Sequence, residues 1–255
     1  MSSIAATNWI SRPHPRPRSS LRLFCFPYAG GGAPIFRSWP DKLPAAVEVC
    51  AIQLPGRGPR MMDKPFKRMP ALVSALTDGL LPFFDKPFAF FGHSMGAWIS
   101  FEVARRLQSK HSLEPLHLFV SGAGAPHMPS REHPIHDLPE DELREALKRL
   151  NGTPKELLEN DDLMQLLLPT LRADFSVCET YVYRNGSLLN CPITAFSGLQ
   201  DRRLYRSDLK AWDAQTNSSL SIKMFPGDHF FLHTAEPLLL QLLNAELERL
   251  LSQRA

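Results

Sequence analysis

The sequence predicts an α/β fold, a mostly parallel, doubly wound sheet with a helical lid insertion, and three observations predict it. Short apolar runs of strand length alternate with helix-length segments. Most of those runs are apolar at both alternating positions, and one late interval carries helical patterns alone. The first two features suit parallel strands covered by helices on both faces. The third reads as a cap over the strand ends.

The strand runs are Leu21–Pro27, Val47–Leu54, Pro87–Gly92, Leu116–Ser121, Ile193–Ser197 and Ser221–Phe225. After Gly96, Ala97, Phe101, Ala104 and Leu107 recur at steps of four and three, which draws one helical stripe. Leu238, Leu239, Leu242, Leu243, Leu247, Leu250 and Leu251 draw another, with Glu248 and Arg249 outside it. Between Pro126 and Asn190 no strand is expected. Glu140–Leu150 opens on Glu140, Asp141 and Glu142 and closes on Lys148 and Arg149, which suits the helix dipole. Pro154–Leu158 and Asp161–Leu168 read as short helices that Leu171–Tyr183 continues. The expected organisation is one domain over residues 21–255, with the lid at about 126–190.

A chain of 255 residues with 44% hydrophobic side chains builds one sizeable core. Its 29 basic and 26 acidic groups leave a net +3, which gives no electrostatic case for binding nucleic acid. Arg12, Arg16, Arg18 and Arg22 are interleaved with Pro13, Pro15 and Pro17, so residues 1–20 are expected to form a flexible basic tail, a solvated terminus rather than an arm for an acidic partner. No apolar run has the length of a signal peptide or of a membrane span. Cys25, Cys50, Cys178 and Cys191 lack metal-ligand spacing, and Cys25 and Cys50 sit in strand-like runs as small hydrophobes. These features point to a cytoplasmic monomer with no metal and no cofactor.

The run Gly92-His-Ser-Met-Gly96 fits Gly-x-Ser-x-Gly, between the apolar strand Pro87–Phe91 and an apolar-striped helix. That context is a nucleophile elbow: a sharp strand-to-helix turn lifts the serine oxygen above the sheet, and the helix N-terminus faces a developing oxyanion. It makes Ser94 the nucleophile of an α/β-hydrolase fold. A serine needs a base and the base needs an orienting carboxylate, in chain order Ser, acid, His.

Of the nine histidines, His229 follows the strand run Ser221–Phe225 in the turn Pro226-Gly-Asp-His-Phe230 and is the expected base. His93 adjoins Ser94, but successive residues at a tight turn point apart. His233 lacks a third ligand for a metal site, and His127, His133 and His136 read as loop decoration. Asp201, just after the run Ile193–Ser197, is the expected acid. Asp208 and Asp213 read as a solvated helix face, and Asp228 adjoins the base too closely to orient it. The glycine-rich loop Tyr28-Ala-Gly-Gly-Gly-Ala33 follows the first strand without the Gly-Lys-Ser/Thr of a nucleotide loop. It offers the Ala29 amide, to within a residue, as second oxyanion donor beside the Met95 amide.

Leu23-Phe-Cys-Phe-Pro-Tyr-Ala-Gly-Gly-Gly32, Gln53-Leu-Pro-Gly-Arg57, Lys86–Gly96, Gly152-Thr-Pro154 and Pro226-Gly-Asp-His-Phe-Phe-Leu232 together resemble the type II (external) thioesterases of polyketide and nonribosomal peptide synthetases. The chain is similar also to the medium-chain acyl thioesterase of animal fatty acid synthase. The resemblance implies hydrolysis of acyl groups from the phosphopantetheine arm of an acyl or peptidyl carrier protein. It places nucleophile, acid and base at Ser94, Asp201 and His229, and oxyanion amides at Ala29 and Met95. Arg202-Arg203 departs from the pattern, as a surface for an acidic carrier protein or as plain solvated charge. Leu54-Pro-Gly-Arg57 has a structural alternative, a turn whose arginine pairs nearby. The apolar lid residues Leu163, Met164, Leu166, Leu167, Leu168 and Phe175 are expected to divide between an acyl-chain wall and packing of the lid.

Overall fold

The computed structural model describes residues 8–253. Seven strands form one sheet: β1 (Ile10–Ser11), β2 (Leu21–Phe26), β3 (Val47–Ile52), β4 (Phe88–His93), β5 (Leu118–Ser121), β6 (Ile193–Gly198) and β7 (Leu220–Phe225). Their order is β1-β3-β2-β4-β5-β6-β7. All neighbours are parallel except β1, which pairs antiparallel with β3. The helices are α1 (Met69–Leu80), α2 (Met95–His111), α3 (Glu140–Leu150), α4 (Lys155–Leu158), α5 (Asp161–Glu179), α6 (Arg206–Lys210), α7 (Phe231–Thr234) and α8 (Glu236–Ser252).

Strand alternation distributes the apolar side chains to two faces. Phe24, Phe26, Phe88 and Phe90 join the core beneath α1 and α2. Leu21, Leu23, Cys25, Ala89 and Phe91 join the core beneath α8. A sheet buried this way on both faces, with helices between parallel strands, is a doubly wound α/β arrangement. Helices α3, α4 and α5 lie in the chain between β5 and β6 and gather a separate small core of Leu143, Leu147, Leu158, Met164, Leu168 and Leu171.

Three details depart from expectation. Helix α5 runs unbroken through Pro169, although an interior proline forfeits one backbone bond. Leu168 and Leu171 on either side are anchored in the small core, which holds the two halves in line. Asp208 is not on a solvated face: it is 2% exposed and takes both guanidinium nitrogens of Arg131, at 2.6 and 3.0 Å.

The third departure is the basic tail, of which residues 1–7 lie outside the described residues. From residue 8 onward the segment is not a loose arm. Ile10 and Ser11 pair with Ile52 and Ala51 of β3, and Trp9 packs into the core under the Arg60 guanidinium, 4.2 Å from its ring. Glu48 is fully buried in β3 and accepts from the Arg16 amide and from Arg22, both at 2.9 Å. Arg16 also donates to the carbonyls of Pro44 and Val47. Arg16 and Arg22 thus answer a buried carboxylate and strand-end carbonyls, while Arg12 and Arg18 are exposed.

Candidate active site

Ser94 joins β4 to α2 with φ 53° and ψ −116°. Those angles belong to the first corner of a type II′ turn, which glycine dominates, so a serine there stores backbone strain. The other non-glycine residues at positive φ among the described residues, Ser112 and Asn151, are left-handed caps at helix C-termini, an ordinary role. The glycines on either side let the turn close. A Cβ on Gly92 would lie 2.1 Å from the Gly96 carbonyl oxygen, and one on Gly96 would lie 2.2 Å from that of Phe26. Ser94 stays partly exposed between buried His93 and Met95. Met95 is the first residue of α2, so its amide has no acceptor within the helix.

The neighbouring parallel strand delivers the glycine-rich loop. Phe26 pairs with Gly92, so the segment after β2 starts level with the end of β4. The Gly31 amide donates to the Tyr28 carbonyl at 2.9 Å and Gly30 has φ 78°, which makes residues 28–31 a type II turn with Ala29 at its first corner. This crevice between β2 and β4 is where the strand order reverses, the place open α/β sheets offer a ligand.

Asp201 follows β6 and His229 follows β7, at the same edge of the sheet. Asp201 Oδ2 and His229 Nδ1 are 2.8 Å apart, and both residues are buried. Asp201 Oδ1 accepts from the Arg203 amide at 3.0 Å. Burial pushes the Asp201 carboxyl up, but the His229 hydrogen bond and charge, with the Arg203 amide and guanidinium, hold it below the usual carboxylate range. His229 Nε2 is buried and has no hydrogen-bond partner among the described residues. The structure thus joins Asp201 to His229 directly, and no hydrogen bond links His229 to Ser94.

The remaining histidines sort by their partners. His93 is fully buried beside His229, ring centroids 5.3 Å apart, with Nδ1 against Ser121 Oγ at 2.8 Å. Burial, followed by the nearby charges of His229 and His233, pushes its pKa well down, so it stays neutral. His233 Nε2 meets the Tyr28 hydroxyl at 3.0 Å, and His127 and His136 face Gln215 and Glu179. Among the described residues no group of three His, Cys, Asp or Glu is placed to hold a metal ion.

The motif Gln53–Arg57 now has its physical reason. Gln53 Oε1 accepts from the Ala33 amide and its Nε2 donates to the Arg57 carbonyl. Arg57 reaches across to Asp174 of α5 with two bonds of 2.7 Å and donates to the Gly31 carbonyl at 2.8 Å. Nothing local in the sequence marks Asp174; the one signal for it is a lone acid among the buried positions of an apolar helix. Arg203 pairs with Glu132 while Arg202 is exposed. Of the lid residues, Met164 and Leu168 pack the small core, Leu167 and Phe175 are half-buried, and Leu163 and Leu166 are exposed.

A model of the thioesterase domain matches residues 21–247. LgrE of Brevibacillus parabrevis, named a linear gramicidin dehydrogenase, is 43% identical over 248 residues, 96% of this chain and 94% of that one. The gramicidin S biosynthesis protein GrsT of Aneurinibacillus migulanus is 42% identical over 255 residues, 100% of both chains. The medium-chain S-acyl fatty acid synthase thioesterase of Rattus norvegicus is 38% identical over 221 residues, 85% of this chain and 83% of that one. The solved structure of BorB, the type II thioesterase from the borrelidin biosynthetic cluster, superposes with a TM-score of 0.86 at 32% identity, covering 95% of this chain and 98% of that one. The chain belongs to the thioesterase domain family, thioester hydrolases on the α/β-hydrolase fold.

Proposed function

We propose that the chain is a serine thioesterase that removes acyl groups from the phosphopantetheine arm of acyl or peptidyl carrier proteins, clearing misprimed or stalled chains from a biosynthetic synthase. The observation that carries the reading is the buried Asp201–His229 pair, 2.8 Å long, on the same strand-end edge as the strained turn at Ser94. The names of GrsT and BorB, tied to gramicidin S and borrelidin biosynthesis, support the class of substrate.

In this mechanism Asp201 holds His229 with Nδ1 as donor, leaving Nε2 as the base. Nε2 takes the Ser94 proton as the oxygen attacks the thioester carbonyl, and the C–O bond forms as the carbonyl π pair moves to oxygen. The amides of Met95 and Ala29 stabilise that oxyanion; losing one such donor typically costs about 2.7–4 kcal/mol. Collapse breaks the C–S bond, and His229 returns the proton to the leaving pantetheine sulfur. A water molecule, deprotonated by His229, then attacks the acyl-enzyme, and Ser94 leaves with its proton restored. An orphaned, buried Nε2 supports this assignment, since triad contacts often tighten only with substrate bound. Part of the same proposal is a cytoplasmic monomer, supported by four free thiols; among the described residues no helix is long and apolar enough to cross a membrane.

The experiment compares hydrolysis of acyl-pantetheine and acyl-carrier-protein thioesters with matched p-nitrophenyl esters, in the wild type and Ser94→Ala. Thioester turnover that Ser94→Ala reduces by at least about 10³-fold, with fluorophosphonate labelling lost in the variant, is expected. A preference for free oxoesters, unaffected by a carrier protein, refutes the substrate assignment. The similarity to the rat enzyme favours a second reading, release of medium-chain acyl products. One sharp optimum at medium chain length would select it, and slow, even hydrolysis of all lengths would select clearance.

A further inference from the structure

The insertion between β5 and β6 does more than lie near the strand ends, because one face of α5 is bonded to the loop that carries the Ala29 amide. Asp174 Oδ2 accepts from the Gly30 amide at 2.7 Å. The same carboxylate binds Arg57 through both oxygens, and Arg57 passes the grip on to the Gly31 carbonyl. Leu171, one turn earlier on the same face, crowds Gly30 so closely that a Cβ there would sit 2.7 Å from its Cδ2. Thr170, four residues before Asp174, donates to the Gly56 carbonyl at 2.6 Å. Asp174 and Arg57 are both almost fully buried, so neither bond is diluted by water.

The geometry matters because of what type of turn residues 28–31 adopt. Types I and II differ by a flip of the central peptide, here Ala29–Gly30. Asp174 accepts from the N–H of that peptide, and Arg57 donates to the Gly31 carbonyl, two peptides further along. The first restraint holds the Ala29–Gly30 peptide in its type II orientation, with Gly30 at φ 78°, and the second anchors the chain just past the turn, so the Tyr28–Ala29 peptide that carries the Ala29 N–H is steadied from its C-terminal side. Neither residue touches the place where the thioester carbonyl reacts.

We propose that Asp174 is a positioning residue for thioester hydrolysis: from the insertion helix, and with Arg57, it locks the turn that presents the Ala29 amide, so that the seating of the insertion sets the quality of the oxyanion hole. This rests on the reading of Ser94 as nucleophile and Ala29 as oxyanion donor. Movement of α5 away from the sheet would then loosen the hole, which links access to the site with its competence.

The test uses the whole chain and three variants. Asp174→Asn keeps shape and one acceptor but loses the charge that Arg57 answers; Arg57→Lys keeps charge but loses the paired bonds; Leu171→Ala removes packing from the same helix face. For the two polar variants kcat on an acyl-pantetheine thioester is expected to fall about 10–100-fold, below the 10²–10³ ceiling for outright loss of a donor. KM should stay within about threefold, and fluorophosphonate labelling of Ser94 should slow in step with kcat, because its phosphoryl oxygen seeks the same amides. Leu171→Ala should shift KM or the melting temperature more than kcat. Measured at least about 15 °C below each melting point, a folded Asp174→Asn or Arg57→Lys enzyme with wild-type kcat and labelling rate overturns the proposal. So does a loss carried by KM alone. If Ser94→Ala itself retains hydrolysis, the proposed function fails instead, which separates the two outcomes.

Discussion

Replacing Ser94 by glycine should make the protein more stable while removing its proposed nucleophile. Ser94 holds φ 53° and ψ −116°, and its side chain makes no capping hydrogen bond at the start of α2. Strain of this kind costs about 1–3 kcal/mol in a residue that carries a Cβ. Glycine relieves it but adds about 0.5–1 kcal/mol of unfolded-chain entropy. The balance is a gain of about 1 kcal/mol, or a rise in Tm of about 2–4 °C for a chain of this length. Ser94→Ala removes the hydroxyl but keeps the Cβ, so its Tm should match the wild type within about 1 °C. Thermal unfolding of the three proteins, followed by circular dichroism, measures the difference directly. Alanine and glycine variants that melt together, or a glycine variant that melts lower, would show that the turn stores no strain.

Four further expectations follow from the geometry. Asp201→Asn should lower kcat by about 10⁴-fold, because an amide that donates to Nδ1 stabilises the wrong imidazole tautomer; near-normal turnover at neutral pH removes Asp201 from the mechanism. The folded Asp201 carboxyl titrates below its unfolded value near ~3.9, so its stabilising contribution is complete above that pH and is lost as pH falls through the lower folded value. Asp201→Asn should therefore flatten the acid limb of Tm against pH, and an unchanged limb refutes the shift. Trp9→Ala should cost about 3 kcal/mol and lower Tm by about 6–12 °C, whereas a loosely held N-terminal segment predicts no change. Gly96→Ala, whose Cβ would stand 2.2 Å from the Phe26 oxygen, should cost at least about 3 kcal/mol, and an ordinary melting curve would contradict that packing.

What the sequence reveals of this molecule follows the range of each interaction. The turn at Ser94 is legible because its two glycines, its strand and its helix all lie within a few residues of one another. Strands β2 to β6 are legible because burial on both faces leaves near-continuous apolar runs, while the edge strand β7, only partly buried, is legible as an alternating Leu220, Ile222 and Met224 against Ser221 and Lys223. Asp201 and His229 can be paired from chain order and from their place after successive strands, although 28 residues separate them. The clamp between Arg57 and Asp174 spans 117 residues, and nothing near either one announces the other. Glu48 sits inside an apolar strand, where periodicity treats it as an irregularity rather than as the acceptor that orders Arg16 and Arg22. Asp208 fails for the same reason: a carboxylate on a short helix looks solvated until Arg131 arrives from another loop.

The pairing of Phe26 with Gly92 makes the sheet a ruler for the chemistry. The spacing between the Ala29 and Met95 amides is counted out in peptide units along two hydrogen-bonded ladders, not negotiated by adjustable side chains. One residue added or removed between Arg22 and Phe24 would slide Phe24 and Phe26 onto the opposite face, and one between Phe26 and Ala29 would shift the amide along the chain. At the amino ends of the same strands no such measurement is being taken. Length variation over evolution, and the engineer's insertions, belong there.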